Sequence, residues 1–239
     1  MHHHKKLLLY VIVLWLLLDG HANAATLNAH ADAQIQAGTS ASTNLGSSPD
    51  LIVKGTEPVA SSTRKAYVRF DVSSISGLVT DAELSFQIGL VPSASPNPVA
   101  NHDVAVFGLL DSAPGQNWGE LSITWNNAPS NNLASGTLFD NSVSLGAVTK
   151  PPTIAVGDEI SLTGQPLIDF LNADTDGFVT FLLSDVIPIV SSARIASREN
   201  TVALGPRLTF TEVDIVPLPG VASLMGGGLV VLCGRRRAR

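Results

Sequence analysis

The sequence predicts an all-β protein: a jelly-roll β-sandwich, one domain, flanked by two hydrophobic ends. Three observations carry this. Apolar and polar residues alternate with a period of two in short runs through the middle of the chain. Clusters of Gly, Pro, Asn and Ser, the residues of turns, break those runs. Charged residues are only 14% of the 239 positions and apolar ones 45%, a balance that suits an extracellular β-protein better than a charge-rich helical one.

At the N-terminus, His2 to Lys6 form a basic stretch, Leu7 to Leu18 an apolar one, and Ala22-Asn23-Ala24 a small-x-small cleavage site. Together they predict a secretory signal over 1–24, with Ala25 as the first mature residue. An uncleaved membrane anchor is the alternative, but the apolar run is short for a bilayer span.

Residues 25–212 form the expected domain. Its clearest strand is Lys65 to Val72, where Ala66, Val68, Phe70 and Val72 face the core and Lys65, Tyr67, Arg69 and Asp71 face away. Further strands are expected at Leu51 to Lys54, Asp81 to Gly89, Asp103 to Leu109, Ser142 to Val148, Glu159 to Leu162, Gly177 to Leu183 and Arg207 to Thr211. That spacing suits a jelly roll. One helix is expected at Pro166 to Asn172, with proline near its first turn and Leu167, Phe170 and Leu171 packed on the sheet. The lone cysteine, Cys233, leaves the domain without a disulfide. Between Ala25 and Glu212 there are 8 Lys/Arg and 18 Asp/Glu. Such an acidic body disfavours nonspecific nucleic-acid binding.

After a linker at 213–216 come Pro217-Leu218-Pro219-Gly220, the apolar run Val221 to Cys233, and the arginines Arg235, Arg236, Arg237 and Arg239. Leu218 to Gly234 reaches the lower length limit of a membrane helix, and the arginines would stay on the cytoplasmic side. From Val216 to Arg239 the tail resembles the PEP-CTERM sorting signal, with Pro217-Leu218-Pro219 where Pro-Glu-Pro is usual. The resemblance implies recognition by an exosortase and release or attachment outside the cell. An ordinary single-pass anchor is the alternative.

Within the body, Asn44-Leu45-Gly46, Asp50 to Gly55, Ala66 to Val72, Ile123-Thr124-Trp125-Asn126-Asn127-Ala128-Pro129, Ala196 to Asn200 and Gly205 to Leu208 occur in the order seen in one family. These segments resemble the DNRLRE domain, which overlaps carbohydrate-binding module family 96. The resemblance implies a jelly-roll sandwich that is a non-catalytic part of surface proteins and polysaccharide-degrading enzymes, some members binding acidic polysaccharides such as alginate.

Six of the eight positive residues of the body fall in three segments. Arginine forks pair bidentately with carboxylates, and an aromatic ring can lie against a sugar. Lys65, Tyr67, Arg69, Arg194 and Arg198 are therefore expected to line a groove for an acidic glycan. Arg194 and Arg198, four apart in an extended stretch, would share a face. The competing expectation is that these arginines tie strands together through Asp71, Asp185 and Glu199. Trp118, in a loop, is a second stacking candidate, whereas Trp125 is expected to plug the core. Calcium suits the hard oxygens of Asp32, Asp71, Asp174, Asp176 and Asp185, and Asp174-Thr175-Asp176-Gly177 resembles part of a calcium loop, though a plain turn also explains it. Only His30 and His102 remain in the mature body, too few for a histidine-built zinc site, and no Gly-x-Ser-x-Gly elbow occurs. The expected function is a secreted, non-enzymatic surface or matrix protein that binds or organises extracellular polysaccharide. A structural surface protein without a ligand and a polysaccharide lyase or hydrolase are the alternatives.

Overall fold

The computed structural model describes residues 22–90, 102–187 and 192–214, all but the last of them within the compact unit His21–Val213. Most of the expected signal segment and all of the sorting tail lie outside the described residues. Among those described, no helix is long and apolar enough to cross a membrane.

Among the described residues eleven strands form: β1 (Ala22–Asn28), β2 (Ala31–Gln36), β3 (Asp50–Val53), β4 (Arg64–Asp71), β5 (Leu78–Gln87), β6 (His102–Leu109), β7 (Ser142–Lys150), β8 (Glu159–Thr163), β9 (Phe178–Asp185), β10 (Ala193–Ala196) and β11 (Arg207–Val213). All eight expected strands are among them. β1, β2 and β10 were not expected, because each lacks the signal that marks a strand. β1 is exposed along nearly its whole length, β2 carries small alanines, and β10 has only four residues.

The strands pair antiparallel in two main sheets, ordered β1-β11-β5-β8 and β2-β4-β9-β6-β7. Between them lies the main core. Val68, Phe70, Val179, Phe181, Val104 and Val106 meet Leu84, Phe86, Ile160, Leu208 and Phe210. The period-two reading of β4 holds for this face: Ala66, Val68 and Phe70 are all fully buried. The ribbon β3-β10 is tied to both sheets, by Ile88↔Ile195 on one side and Lys54↔Arg64 on the other. The helix α1 (Gln165–Asn172) forms where expected and buries Leu167, Phe170 and Leu171. Asn172 at its end both donates to and accepts from the Val79 backbone, each at 2.9 Å, which fixes the helix to β5.

The second face of the five-stranded sheet departs from the alternation rule. Residues 110–141, between β6 and β7, fold over it as a roof. Under the roof a separate cluster forms from Ala31, Ala33, Ile35, Tyr67, Leu109, Ile123, Leu182, Trp118 and Trp125. Strands β4 and β9 are thus buried on both faces, the arrangement that lets residues of every parity disappear from solvent.

Candidate functional site

The face of β4 expected to form an open groove lies beneath this roof. Lys65 and Tyr67 are 0% exposed, and Trp118 is 6% exposed. Lys65 Nζ donates to Asn131 Oδ1 (2.9 Å), the Leu138 carbonyl (2.7 Å) and the Asn132 carbonyl (3.3 Å). Its head sits over the rings of Trp125 and Phe139, 5.1 and 4.6 Å from their centroids. Burial pushes the ammonium down to about 7. Tyr67 donates to the Pro129 carbonyl (3.0 Å) and packs edge-on against Trp118 and Phe139. Trp118 Nε1 donates to Thr180 Oγ1, and Trp125 is buried as expected. Lys65, Tyr67 and Trp118 therefore lock the roof down. Residue parity placed them on the right face, but the distant segment that covers it leaves no mark on β4 itself.

The roof is clamped from a second side by Asn44-Leu45-Gly46. Asn44 Nδ2 donates to the carbonyls of Glu120 (2.8 Å) and Ile123 (2.7 Å), and Asn44 Oδ1 accepts from Gly46 N. Gly46 has no room for a side chain, since a Cβ there would lie 2.7 Å from the Glu120 carbonyl carbon.

Arg69 and Arg198 approach the same end of the roof. Arg69 Nη1 donates to the Trp118 carbonyl (2.9 Å), and its guanidinium lies 5.1 Å from the Trp118 ring and 5.4 Å from that of Phe178. Arg198 lies near Glu120 (3.6 Å) and Glu199 (3.5 Å) and donates to the His30 carbonyl.

The expectation that Arg194 and Arg198 share a face does not hold. Strand β10 ends at Ala196, and a turn closed by Asn200 N to the Ser197 carbonyl swings Arg198 away. Arg194 stays on the outer side of the β3-β10 ribbon, opposite Ile52. Its neighbour there is Arg64, at the start of β4, whose guanidinium is held below its usual range by burial and by the charge of Arg194. Arg64 Nε donates to Gln36 Oε1 (3.1 Å), and Lys54 pairs with Arg64 through the backbone. The side chain of Arg194 makes no hydrogen bond and no ion pair within 4.0 Å among the described residues, and its Nε is buried without a partner. Asp50 is the nearby acid: burial raises its carboxyl, while the charge of Arg194 and a hydrogen bond from Asn200 pull it back down.

The five acids expected to bind a cation fall in four places. Asp71 accepts from the backbone and hydroxyl of Ser73. Asp185 is buried against His102 Nε2 (2.6 Å) and accepts from Gly55 N. Asp174 and Asp176 meet Asp111, where they accept from Gly177 N, Phe178 N and Gln116. Asp32 meets Glu120 and Glu199. Neither Asp111 nor Glu120 was singled out in the sequence, since each comes from the roof. Asp32 is 1% exposed. Its carboxyl is pushed up to about 8, chiefly by burial, with the charges of Glu199 and Glu120 adding to the rise. Of the acids expected to tie strands to these arginines, Asp71 and Asp185 have other partners, and Glu199 meets only its sequence neighbour Arg198, which ties no strands.

A family model described as carbohydrate-binding module family 96 matches residues 23–144, just over half of the chain. The match runs from β1 into β7 and takes in the whole roof, Asp32, Lys54, Arg64 and Glu120. No curated protein matches the chain.

Proposed function

The chain belongs to carbohydrate-binding module family 96, and from that premise we propose that it is an exported, non-catalytic module that binds acidic extracellular polysaccharide. The proposed contact surface is the outer face of the β3-β10 ribbon with the start of β4. There Lys54, Arg64 and Arg194 surround Ile52 and Gln36, all of them half-buried. The observation that carries the reading is Arg194: a guanidinium beside a second guanidinium, with Asp50 near enough to feel its charge but in no direct ion pair with it among the described residues. Two like charges held together repel, and a bound carboxylate converts that cost into a forked, charge-assisted contact.

The aromatic side chains support the same preference. Neutral sugars are gripped largely by exposed aromatic faces, but the described Trp and Tyr side chains, Trp118, Trp125 and Tyr67, are all buried. Recognition by this module therefore rests on charge, and its polymer carries uronate or other anionic groups.

The double variant Arg64→Ala, Arg194→Ala is expected to bind alginate at least tenfold more weakly, on the order of 1.4 kcal/mol or more, in affinity electrophoresis. Wild-type binding should weaken steeply between 50 and 300 mM salt, as screening of exposed charges requires. The pair Arg69→Ala, Arg198→Ala serves as the comparison. If that pair abolishes binding while the first leaves it intact, the contact surface is at the roof instead.

Export rests on the basic and apolar N-terminal segment, and surface retention on the proline, apolar and arginine order of the tail. Through that tail the partners are the membrane and an exosortase. Fractionation of the native host should find the protein outside the cytosol, and deletion of 217–239 should release it to the medium.

A further inference from the structure

We propose that Asp32, Glu120 and Glu199 form a binding site for one hard divalent cation of the calcium class, which staples the roof to the sandwich. One carboxylate oxygen from each residue lies within 4.8 Å of the others, a separation that a shared ion spans at ordinary calcium–oxygen distances of about 2.3–2.6 Å. The second observation is independent of this clustering. Asp32 is 1% exposed, and its Oδ1 has no hydrogen-bond partner. Glu199 Oε2 is likewise buried and unpartnered. Buried carboxylate oxygens are ordinarily satisfied, so two such oxygens beside a third carboxylate point to a ligand that accepts lone pairs.

The charges point to the same class of ligand. Three carboxylates face one guanidinium, that of Arg198, at 3.6 Å from Glu120 and 3.5 Å from Glu199. With all three carboxyls ionised the cluster holds three negative charges and one positive, a balance that a divalent ion neutralises. The remaining polar atoms are already used in holding the carboxylates in place. Asp32 Oδ2 accepts from Arg198 N (2.8 Å), and Glu120 Oε1 accepts from Asp32 N (2.9 Å). The ligands are thus preorganised by backbone donors on each other's segments. They come from β2, the roof and the β10–β11 turn, so an ion here would crosslink three parts of the chain far apart in sequence. In a domain without a disulfide this crosslink is a thermal staple.

The trio Asp111, Asp174 and Asp176 is the obvious competitor. Its members are less buried, and most of its oxygens are taken by Thr175, Gly177, Phe178 and Gln116.

The test is calorimetric titration of calcium chloride into the full chain stripped with EDTA, alongside thermal melting. Wild type is expected to bind one ion with a rise in Tm of about 5 °C at saturating calcium, the order expected for a ligand that binds only the folded state. Glu199→Gln, at the half-exposed side of the site and so safe for folding, should weaken binding at least tenfold and remove the Tm rise. Asp32→Asn should do the same, while Asp111→Asn should leave both unchanged. Absence of calcium binding by wild type overturns the proposal, as does full binding by Glu199→Gln or loss of the site in Asp111→Asn alone. Alginate binding measured in parallel keeps this outcome separate from that of the glycan reading.

Discussion

Truncation of Lys65 to alanine is expected to lower the unfolding free energy by about 4 kcal/mol, measured by urea denaturation. Two losses add. The buried stem carries several methylenes, each worth about 0.8 kcal/mol, and the space they leave lies in a packed cluster that collapses only partly. The side chain of Asn131 and the carbonyls of Asn132 and Leu138 then lose their donor, at about 1–3 kcal/mol for each acceptor that water fails to reach. Relief of the buried charge offsets part of this. Lys65→Met separates the terms, because it restores the stem and not the donor. It should recover about 2–3 kcal/mol of the alanine loss.

The same pair of proteins reports the charge through pH. The ammonium titrates near 7 in the folded protein against 10.5 when free. Between those values the unfolded chain binds more protons, so this group makes the protein more stable as pH rises. The Met variant lacks the effect. The advantage of wild type over Lys65→Met should therefore grow from pH 7 to 9, by about 2 kcal/mol. A constant difference across that range would mean that Lys65 keeps an ordinary affinity for its proton.

Gly46→Ala is the second large effect, with an expected loss of about 2–4 kcal/mol. A methyl group there collides with the backbone of Glu120 rather than with a side chain that could rotate aside. The segment must move, and it carries Trp118, whose ring packs on Tyr67. Near-ultraviolet circular dichroism of the tryptophans should change along with the midpoint of denaturation. An Asn44→Ala variant should give a smaller loss of about 1–2 kcal/mol, since it removes three hydrogen bonds without forcing the backbone apart.

The sandwich was legible in the sequence because its central strands have one face on a conventional core. In β4 the order Ala66, Val68, Phe70 gives the inward set directly, and in α1 Leu167, Phe170 and Leu171 fall on one side. The site was less legible. Lys65 and Tyr67 read as outward residues, and so they are relative to the main core. Their burial depends on a loop that begins some 45 positions later in the chain, and alternation within one strand carries no information about that. Asp32 was recognisable as a candidate ligand, yet its companions Glu120 and Glu199 come from the roof and a distant turn. The separation of Arg194 from Arg198 was hidden by a turn at Ser197 to Asn200, which ends an otherwise extended run.

The two ends of the mature sandwich lie on neighbouring strands, Ala25 opposite Phe210, and β11 finishes at Val213 beside Leu78 at the start of β5. At the far end of β5, Gly89 N donates to the carbonyl of Arg194. Ten residues of extended strand separate the two points, roughly 30 Å at about 3.3 Å per residue. Val213 and the guanidinium pair therefore lie at opposite ends of β5, and the pairing of the chain ends is insulated from substitutions at Arg64 and Arg194 by the length of that strand.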